Sequence, residues 1–358
     1  MWEGHGERKG RERGNLHPGA CEWHCKYDGD SARVQRFISP GKFRVSQCCM
    51  VSLVGRRRCT IRCIRNHRDT PPHRTFHMTS TAPQITDPGL LAYFGRWIGT
   101  HFRGVKGIDR LLRALHNPDR RQADFFRTVA AAYPEGPKYH LESRWFTEWT
   151  TWFYGSQDRA IHRWIVRNAR PDWVTFDIGM NFGYFTCLLA SFSKEVHGFE
   201  PVGWLAARSR ANVELNAFAN ATINELALSD HAGTAQLNLP DPDHCNWGTS
   251  SLVHKSSSQT AVVEVPLETL DRYCEAHRIT RLDFMKVDVE GAEHLVFRGA
   301  EKTLERMRPT IIFEFNEESG PETYGLLEKL GYGFFDMDRR PLALHQAPLH
   351  DILAIPTA

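Results

Sequence analysis

The sequence predicts an α/β fold: a doubly wound, mostly parallel sheet with helices on both faces, helices ahead of it and an antiparallel C-terminal hairpin. Three observations carry this. From about residue 158, short apolar strands alternate with segments of helical period, the mark of a parallel sheet built from crossover units. The first strand runs into a glycine-rich turn, Asp177-Ile178-Gly179-Met180-Asn181-Phe182-Gly183, with a helix directly behind it. The last two strands, expected over 333–337 and 352–355, are joined without room for a helix and should pair antiparallel.

The elements follow in order. Leu90, Leu91, Phe94, Trp97 and Ile98 recur at helical spacing, as do Ile108, Leu111, Leu112 and Leu115. Phe125, Phe126 and Val129 extend that reading until Tyr133-Pro134-Glu135-Gly136-Pro137 breaks it. Ile161, Trp164 and Ile165 mark a helix ending before Pro171. Strands are expected at 173–176, 196–199, 221–228, 282–287 and 310–315. Helices between them run through Phe185, through Trp204, Leu205 and Val213, and through Leu295, Phe297 and Leu304.

The 358 residues carry a net charge of +3 that is unevenly spread. Residues 1–77 hold 16 Lys+Arg against 7 Asp+Glu, a balance of +9, which leaves −6 for the remainder. Six of the nine cysteines also fall in this stretch. It lacks a sustained period of 2 or 3.6, so no packed domain is expected there. Met78-Thr79-Ser80 looks like an ordinary start, and 1–77 reads as a disordered or non-native leader. Cys21, Cys25 and His24, or Cys59, Cys63 and His67, could bind zinc but lack the paired spacing of a finger. Arg56-Arg57-Arg58 could touch phosphate, although such a run is more often simply solvated. The three later cysteines suggest no disulfide framework and fit a reducing cytoplasm. No apolar run approaches a bilayer-spanning length, so neither a membrane nor a nucleic acid is expected as partner.

The chemistry begins at the glycine turn. In open α/β sheets, ligands bind at the carboxyl ends of the strands, where glycines let the backbone come close. Glu200, in Phe199-Glu200-Pro201, stands 21 residues after Gly179, and an acid there can accept two hydrogen bonds from a ribose diol. Together these describe an adenosine site. A dinucleotide needs its pyrophosphate cradled by G-x-G-x-x-G. Here the turn is G-x-x-x-G, and Asp177 adds a negative charge. That suits a cofactor carrying an ammonium and a sulfonium, S-adenosylmethionine.

The next segments are Gly248-Thr249-Ser250-Ser251-Leu252, Leu267-Glu268-Thr269-Leu270-Asp271 and Lys286-Val287-Asp288-Val289-Glu290-Gly291-Ala292-Glu293. With the glycine turn, Phe199-Glu200-Pro201, Phe313-Glu314 and the closing Asp351-Ile352-Leu353-Ala354-Ile355, they resemble the FkbM-type methyltransferases. Met180 departs from the pattern, standing where the family usually has a small residue. The resemblance covers roughly 135–358, with 78–134 left as a helical extension. It implies a seven-stranded class I, Rossmann-like methyltransferase sheet, S-adenosylmethionine as donor and a hydroxyl acceptor on a sugar, polyketide or similar small molecule. By the same resemblance Asp177, Gly179, Asn181 and Gly183 line the methionine part of the cofactor, Glu200 holds the ribose, and Leu228 and Ser229 lie near the adenine.

Methyl transfer to a hydroxyl needs alignment and a base within reach. Asp288 and Glu290 are the candidates, expected on one side of an extended strand tip. Asp288 is favoured as base or substrate anchor. Glu293 reads as a helix cap, and His294 as a surface residue although its type could serve as a base. Glu314 could contact substrate, and two acids on separate strands are too few to claim a metal. Trp247 and Ser250 belong to the loop that resembles the family's cover over the site. Phe153, Tyr154, Tyr184 and Phe185 are further candidates for the pocket wall, with a core role favoured for Phe185. The competing readings are a dinucleotide-dependent oxidoreductase, a cofactor-binding module without catalysis, and a nucleic-acid methyltransferase. The last is disfavoured because no N/D-P-P-Y-type segment is present.

Overall fold

The computed structural model describes residues 85–116, 126–240, 259–315, 319–342 and 351–357, and the backbone of four strands nearer the N-terminus. The chain divides into two units, Met1–Thr79 and Ser80–Ala358. In the first, β1 (His24–Asp28) pairs antiparallel with β2 (Ser31–Gln35), and β3 (Met50–Leu53) with β4 (Cys59–Arg62). The sequence reading expects no regular structure here. Local hairpins of this kind need no sustained periodicity, because each ladder closes on itself. The cysteine–histidine and arginine readings concern side chains outside the described residues.

The second unit opens with α1 (Gly89–Phe102) and α2 (Ile108–Leu115). A hairpin of β5 (Arg127–Ala131) and β6 (Lys138–Glu142) follows. This corrects the expected helix through Phe126 and Val129, while Phe125 lies outside the described residues. Val129 pairs with His140 across the hairpin, and the Pro- and Gly-rich run taken as a helix stop is its connection. A three-residue apolar spacing is too short to separate helix from strand. Next come α3 (Phe146–Tyr154) and α4 (Arg159–Asn168). Asp158 fixes the start of α4, its Oδ1 accepting from the backbone N–H of Ala160 and Ile161 at 2.7 and 2.9 Å.

The alternating part then runs β7 (Val174–Ile178), α5 (Tyr184–Ala190), β8 (Glu195–Phe199), α6 (Gly203–Leu215) and β9 (Ala221–Asn224). A small sheet of β10 (Ala227–Leu228), β11 (Gly233–Pro240) and β12 (Gln259–Glu268) leads to α7 (Leu270–Ala276). The chain re-enters the main sheet at β13 (Phe284–Val287), then α8 (Glu293–Arg298), α9 (Glu301–Met307) and β14 (Thr310–Glu314). It closes with α10 (Gly320–Lys329), β15 (Tyr332–Phe335) and β16 (Asp351–Pro356). The expected third strand is split between β9 and β10, and the expected helix across Leu295 and Leu304 is two helices broken at Gly299-Ala300.

The seven-stranded sheet has the order β15-β16-β14-β13-β7-β8-β9. β14, β13, β7, β8 and β9 are parallel; β16 pairs antiparallel with both β14 and β15. The order turns at β7, which has β8 on one side and β13 on the other, so the crevice above their carboxyl ends is the expected ligand position. Strand alternation divides the core. Phe176, Met285, Val287, Ile311 and Phe313 pack against α7–α10, while Phe284, Ile312 and Leu353 face α3–α5.

α1 rests closely on α3. A Cβ on Gly99 would lie 2.2 Å from the Phe153 carbonyl oxygen, and one on Gly95 would lie 2.8 Å from the Phe153 ring. Backbone cannot yield as a side-chain end can, so Gly99→Ala is expected to force α1 outward and cost roughly 1–3 kcal/mol. Chemical denaturation would check this; an unchanged midpoint would show that the helices do not approach so closely.

Candidate functional site

Three strand tips meet at the switch point. Beyond β7, Gly179 takes φ +79, and its N–H and that of Met180 both donate to the Phe199 carbonyl at 3.0 Å. A Cβ on Gly179 would lie 1.8 Å from the Asp288 carbonyl oxygen, so only glycine lets the turns after β7 and β13 touch. Met180 is buried, and its sulfur lies under Gly198, where a Cβ would come within 2.4 Å of it. The large side chain that departs from the family pattern is thus matched by a glycine on β8. Glu200, at the β8 tip, is buried, and its carboxylate accepts from Asn181 N–H and Val202 N–H at 3.0 Å each. Each oxygen keeps a further lone pair for a ligand.

Above these tips is a cavity of about 370 Å³, within the range of small-molecule sites. Of the expected residues, Gly179, Asn181, Glu200, Leu228, Asp288, Glu290 and Glu314 line it. Asp177, Gly183 and Ser229 do not. Gly183 starts α5 and packs against Ser209, and Ser229 N–H donates to the Glu268 carbonyl beside the small sheet. Trp247 and Ser250 lie outside the described residues. Phe185 lines the cavity and is also buried, so it serves both wall and core. Phe153 and Tyr184 are core residues and Tyr154 faces a different cavity.

Asp177 is fully buried behind the pocket wall. Thr186 Oγ1 donates to its Oδ2 at 2.7 Å, while Oδ1 is buried with no hydrogen-bond partner among the described residues. Burial raises its pKa, with Lys286 opposing. Lys286 stands opposite Asp177 in the β13–β7 register and is itself buried. Its Nζ lies 2.9 Å from Asp288 Oδ2 and 5.0 Å from the Phe185 ring centroid. Burial works against the charged amine, but Asp288 and Asp177 outweigh it and hold the pKa above its usual value.

Asp288 and Glu290 both reach the cavity, but not by strand alternation as expected. β13 ends at Val287, and Glu290 takes φ +53, so a turn carries them there. Glu293 caps that turn, its Oε1 accepting from Val289 and Gly291 N–H at 3.1 and 3.3 Å. Sequence reasoning missed Asp158, Asp351 and Lys286. Asp158 and Asp351 line the cavity, but neither stands in a turn or spacing that gave a separate signal. Burial, then the surrounding carboxylates, push Glu290 up to about 9 and Glu314 to about 7; Asp351 also rises to about 7. Glu200 is raised to about 7, chiefly by burial. Among the described residues no group of three His, Cys, Asp or Glu is arranged to hold a metal ion.

A pocket so rich in acids, with glycine turns below it, is the arrangement expected for a cationic nucleoside. Residues 177–334 match the family model described as the methyltransferase FkbM domain. Over that stretch, a little under half of its length, the chain is similar to the FkbM methyltransferases. It is similar to the 2-O-methyltransferase NoeI of Sinorhizobium fredii, 29% identical over 178 residues, 46% of this chain and 71% of that protein. It is also similar to the methyltransferase sdnD of Sordaria araneosa, 28% identical over 202 residues, 48% of this chain and 78% of that one. Among solved structures, methyltransferase FkbM from Methylobacillus flagellatus KT is 13% identical with a TM-score of 0.32, covering 58% of this chain and 54% of that one.

Two outcomes follow. Lys286→Met leaves Asp177 buried without its cation, so a loss of about 3–5 kcal/mol is expected, largely restored in Lys286→Met/Asp177→Asn; additive losses in thermal melts would deny the coupling. Glu290 titrates near 4.3 when unfolded and up to about 9 when folded. Between these values the folded state holds a proton the unfolded state has lost, so stability falls as pH rises. Glu290→Gln removes this term, and its melting temperature is expected to gain on the parent chain from about pH 5 to about pH 9. Parallel melting curves would refute the shifted carboxyl.

Proposed function

We propose that the chain binds S-adenosylmethionine in this cavity and transfers its methyl group to a hydroxyl oxygen of a small molecule. The observation that carries the reading is the acid-lined pocket above Gly179 and Glu200. The residues fit the cofactor on three counts. Glu200 is held by two backbone N–H groups with acceptor capacity to spare for a ribose diol. Gly179 and Asn181 bring backbone to the cavity wall. Asp158, Asp288, Glu290, Glu314 and Asp351 line it with carboxylates that suit positive charge, where a pyrophosphate would be repelled. The dinucleotide reading is not favoured.

When bound, the cofactor supplies an electrophilic methyl group on a sulfonium with a neutral leaving group. The protein's own residues then have to orient the acceptor and remove its proton. Lys286 holds the Asp288 carboxylate in one place, which suits Asp288 to anchoring the acceptor hydroxyl or taking its proton. Glu314 and Asp351, near 7, are further proton acceptors matched to neutral pH. Glu290, held protonated when the pocket has no cation, comes into play only when positive charge lowers it. Leu228 and Leu237 offer apolar contact to the adenine, and Phe146, Thr147 and Thr150 also line the cavity. The proposed compartment is the cytoplasm, supported by Cys187 and Cys274, which are buried free thiols. Among the described residues no helix is long and apolar enough to cross a membrane. The first 77 residues are proposed to lie outside the catalytic machinery.

Glu200→Ala is expected to abolish S-adenosylmethionine binding in calorimetry. Affinity in the parent chain should rise with pH through about 6 to 9, because a cation favours the ionised forms of Glu200, Glu314 and Glu290. Mass spectrometry of hydroxylated acceptors should show a gain of one methyl group, lost in Glu200→Ala. Tight binding of a phosphate-bearing dinucleotide in the same cavity would overturn the reading.

A further inference from the structure

A second cavity, of about 870 Å³, lies between α1, β5 and α4. Its charge is the reverse of the first. Arg96, Arg103, Arg159 and Arg163 line it with His101 and His162, and no Asp or Glu is among its lining residues. The nearby carboxylates are committed elsewhere: Asp158 caps α4, and Asp109 accepts from the Tyr154 hydroxyl. Arg96 and Arg103 are part of the frame. Arg96 donates to the carbonyls of Trp152, Ala131 and Ala132, and Arg103 to those of Tyr154 and Ser156. Their charge remains, since a guanidinium does not deprotonate in proteins.

Arg159 and Arg163 are different. They stand one turn apart on α4, both exposed and both lining this cavity, and neither side chain makes a hydrogen bond or ion pair among the described residues. Like charges at this spacing repel unless something anionic lies between them. His162, one residue before Arg163, turns to the same cavity with its Nδ1 held 2.8 Å from the Tyr184 hydroxyl. The Ser156 hydroxyl accepts from Arg103 and the Thr100 hydroxyl donates to the Arg96 carbonyl, while Tyr93 and Tyr133 give the lining an aromatic part.

We propose that this cavity binds the phosphoryl group of a phosphorylated small molecule, with Arg159 and Arg163 as its clamp. Guanidinium forks match phosphate oxygens two at a time, and a volume of this size leaves room for the organic part against the tyrosines. α4 connects the two sites. Its capping residue Asp158 and Ile161 line the methyl-transfer cavity, while Arg159, His162 and Arg163 line this one. The inference does not depend on the methyl-transfer reading, because its test measures anion binding directly.

The probe is inorganic pyrophosphate, titrated calorimetrically into the full chain at low salt. Arg159→Ala/Arg163→Ala is expected to weaken binding at least about tenfold while leaving the melting temperature and S-adenosylmethionine affinity unchanged. Arg167→Ala, one turn further along α4 but outside the cavity, is the control and should change affinity by less than about twofold. Arg163→Gln alone should give an intermediate loss and serves if the double variant does not fold. Absence of binding at millimolar pyrophosphate would overturn the proposal. So would an equal loss in Arg167→Ala, which would mark a diffuse basic stripe. Pyrophosphate competing with the acceptor would place the phosphoryl group on the acceptor, and a changed kcat without competition would place it on a separate effector; either supports the site.

Discussion

A buried ammonium holds the strand tips of this protein together. Lys286 stands on the central strand pair, opposite Asp177 in register and within hydrogen-bond distance of Asp288. A charge in that position is costly unless well paired, and here Asp177 stands on the neighbouring strand and Asp288 just beyond the end of its own. The consequence is geometric. Asp288 is fixed relative to the β7 turn, and Gly179 lets its backbone come into contact with the Asp288 carbonyl. Glu200 is tied to the same turn through Asn181 N–H. The pocket floor is therefore one connected unit, with Asp177 buried behind it in register with Lys286.

The same economy of charge shapes the cavity above. Several carboxylates share a space that desolvates them, so Glu290, Glu314, Asp351 and Glu200 all hold protons more tightly than free acids do. Such a pocket stores unfavourable charge that a cation relieves, which is a means of selecting a sulfonium over a phosphate. On the far side of α4 the pattern inverts, with arginines and no acid among the lining residues. One helix of ten residues thus separates two cavities of opposite sign.

Much of the fold was legible in the chain. The strand–helix alternation from β7 to β14 and the antiparallel ending follow from periodicity, and the placing of Gly179 and Glu200 at adjacent strand tips from their spacing, while the place of Asn181 was implied by the family resemblance. The failures have identifiable causes. Val129 sits in a hairpin because three apolar residues cannot distinguish two periods. β11 and β12 were not foreseen because the polar, turn-rich stretch between them hid a long antiparallel pair. Phe185 was a candidate for the pocket wall with a core role favoured, and at a helix start beneath the cavity it is both.

What the sequence determined by itself is the set of chemical groups and their order: a glycine turn, an acid one strand later, and a lysine and two further acids on the fourth. Local backbone preference and alternation are short-range properties, so they survive without knowledge of the partner strands. Which groups face the ligand and which stand behind it was decided only by tertiary structure. Asp177 and Asp288 were both expected at the site, yet one is buried within the sheet opposite Lys286 and the other opens into the cavity. Asp158 and Asp351, nearly 200 residues apart, reach the same cavity only because the sheet order brings β16 beside β14. Burial and neighbouring charge set their proton affinity, and both are properties of the packed molecule rather than of any segment of chain.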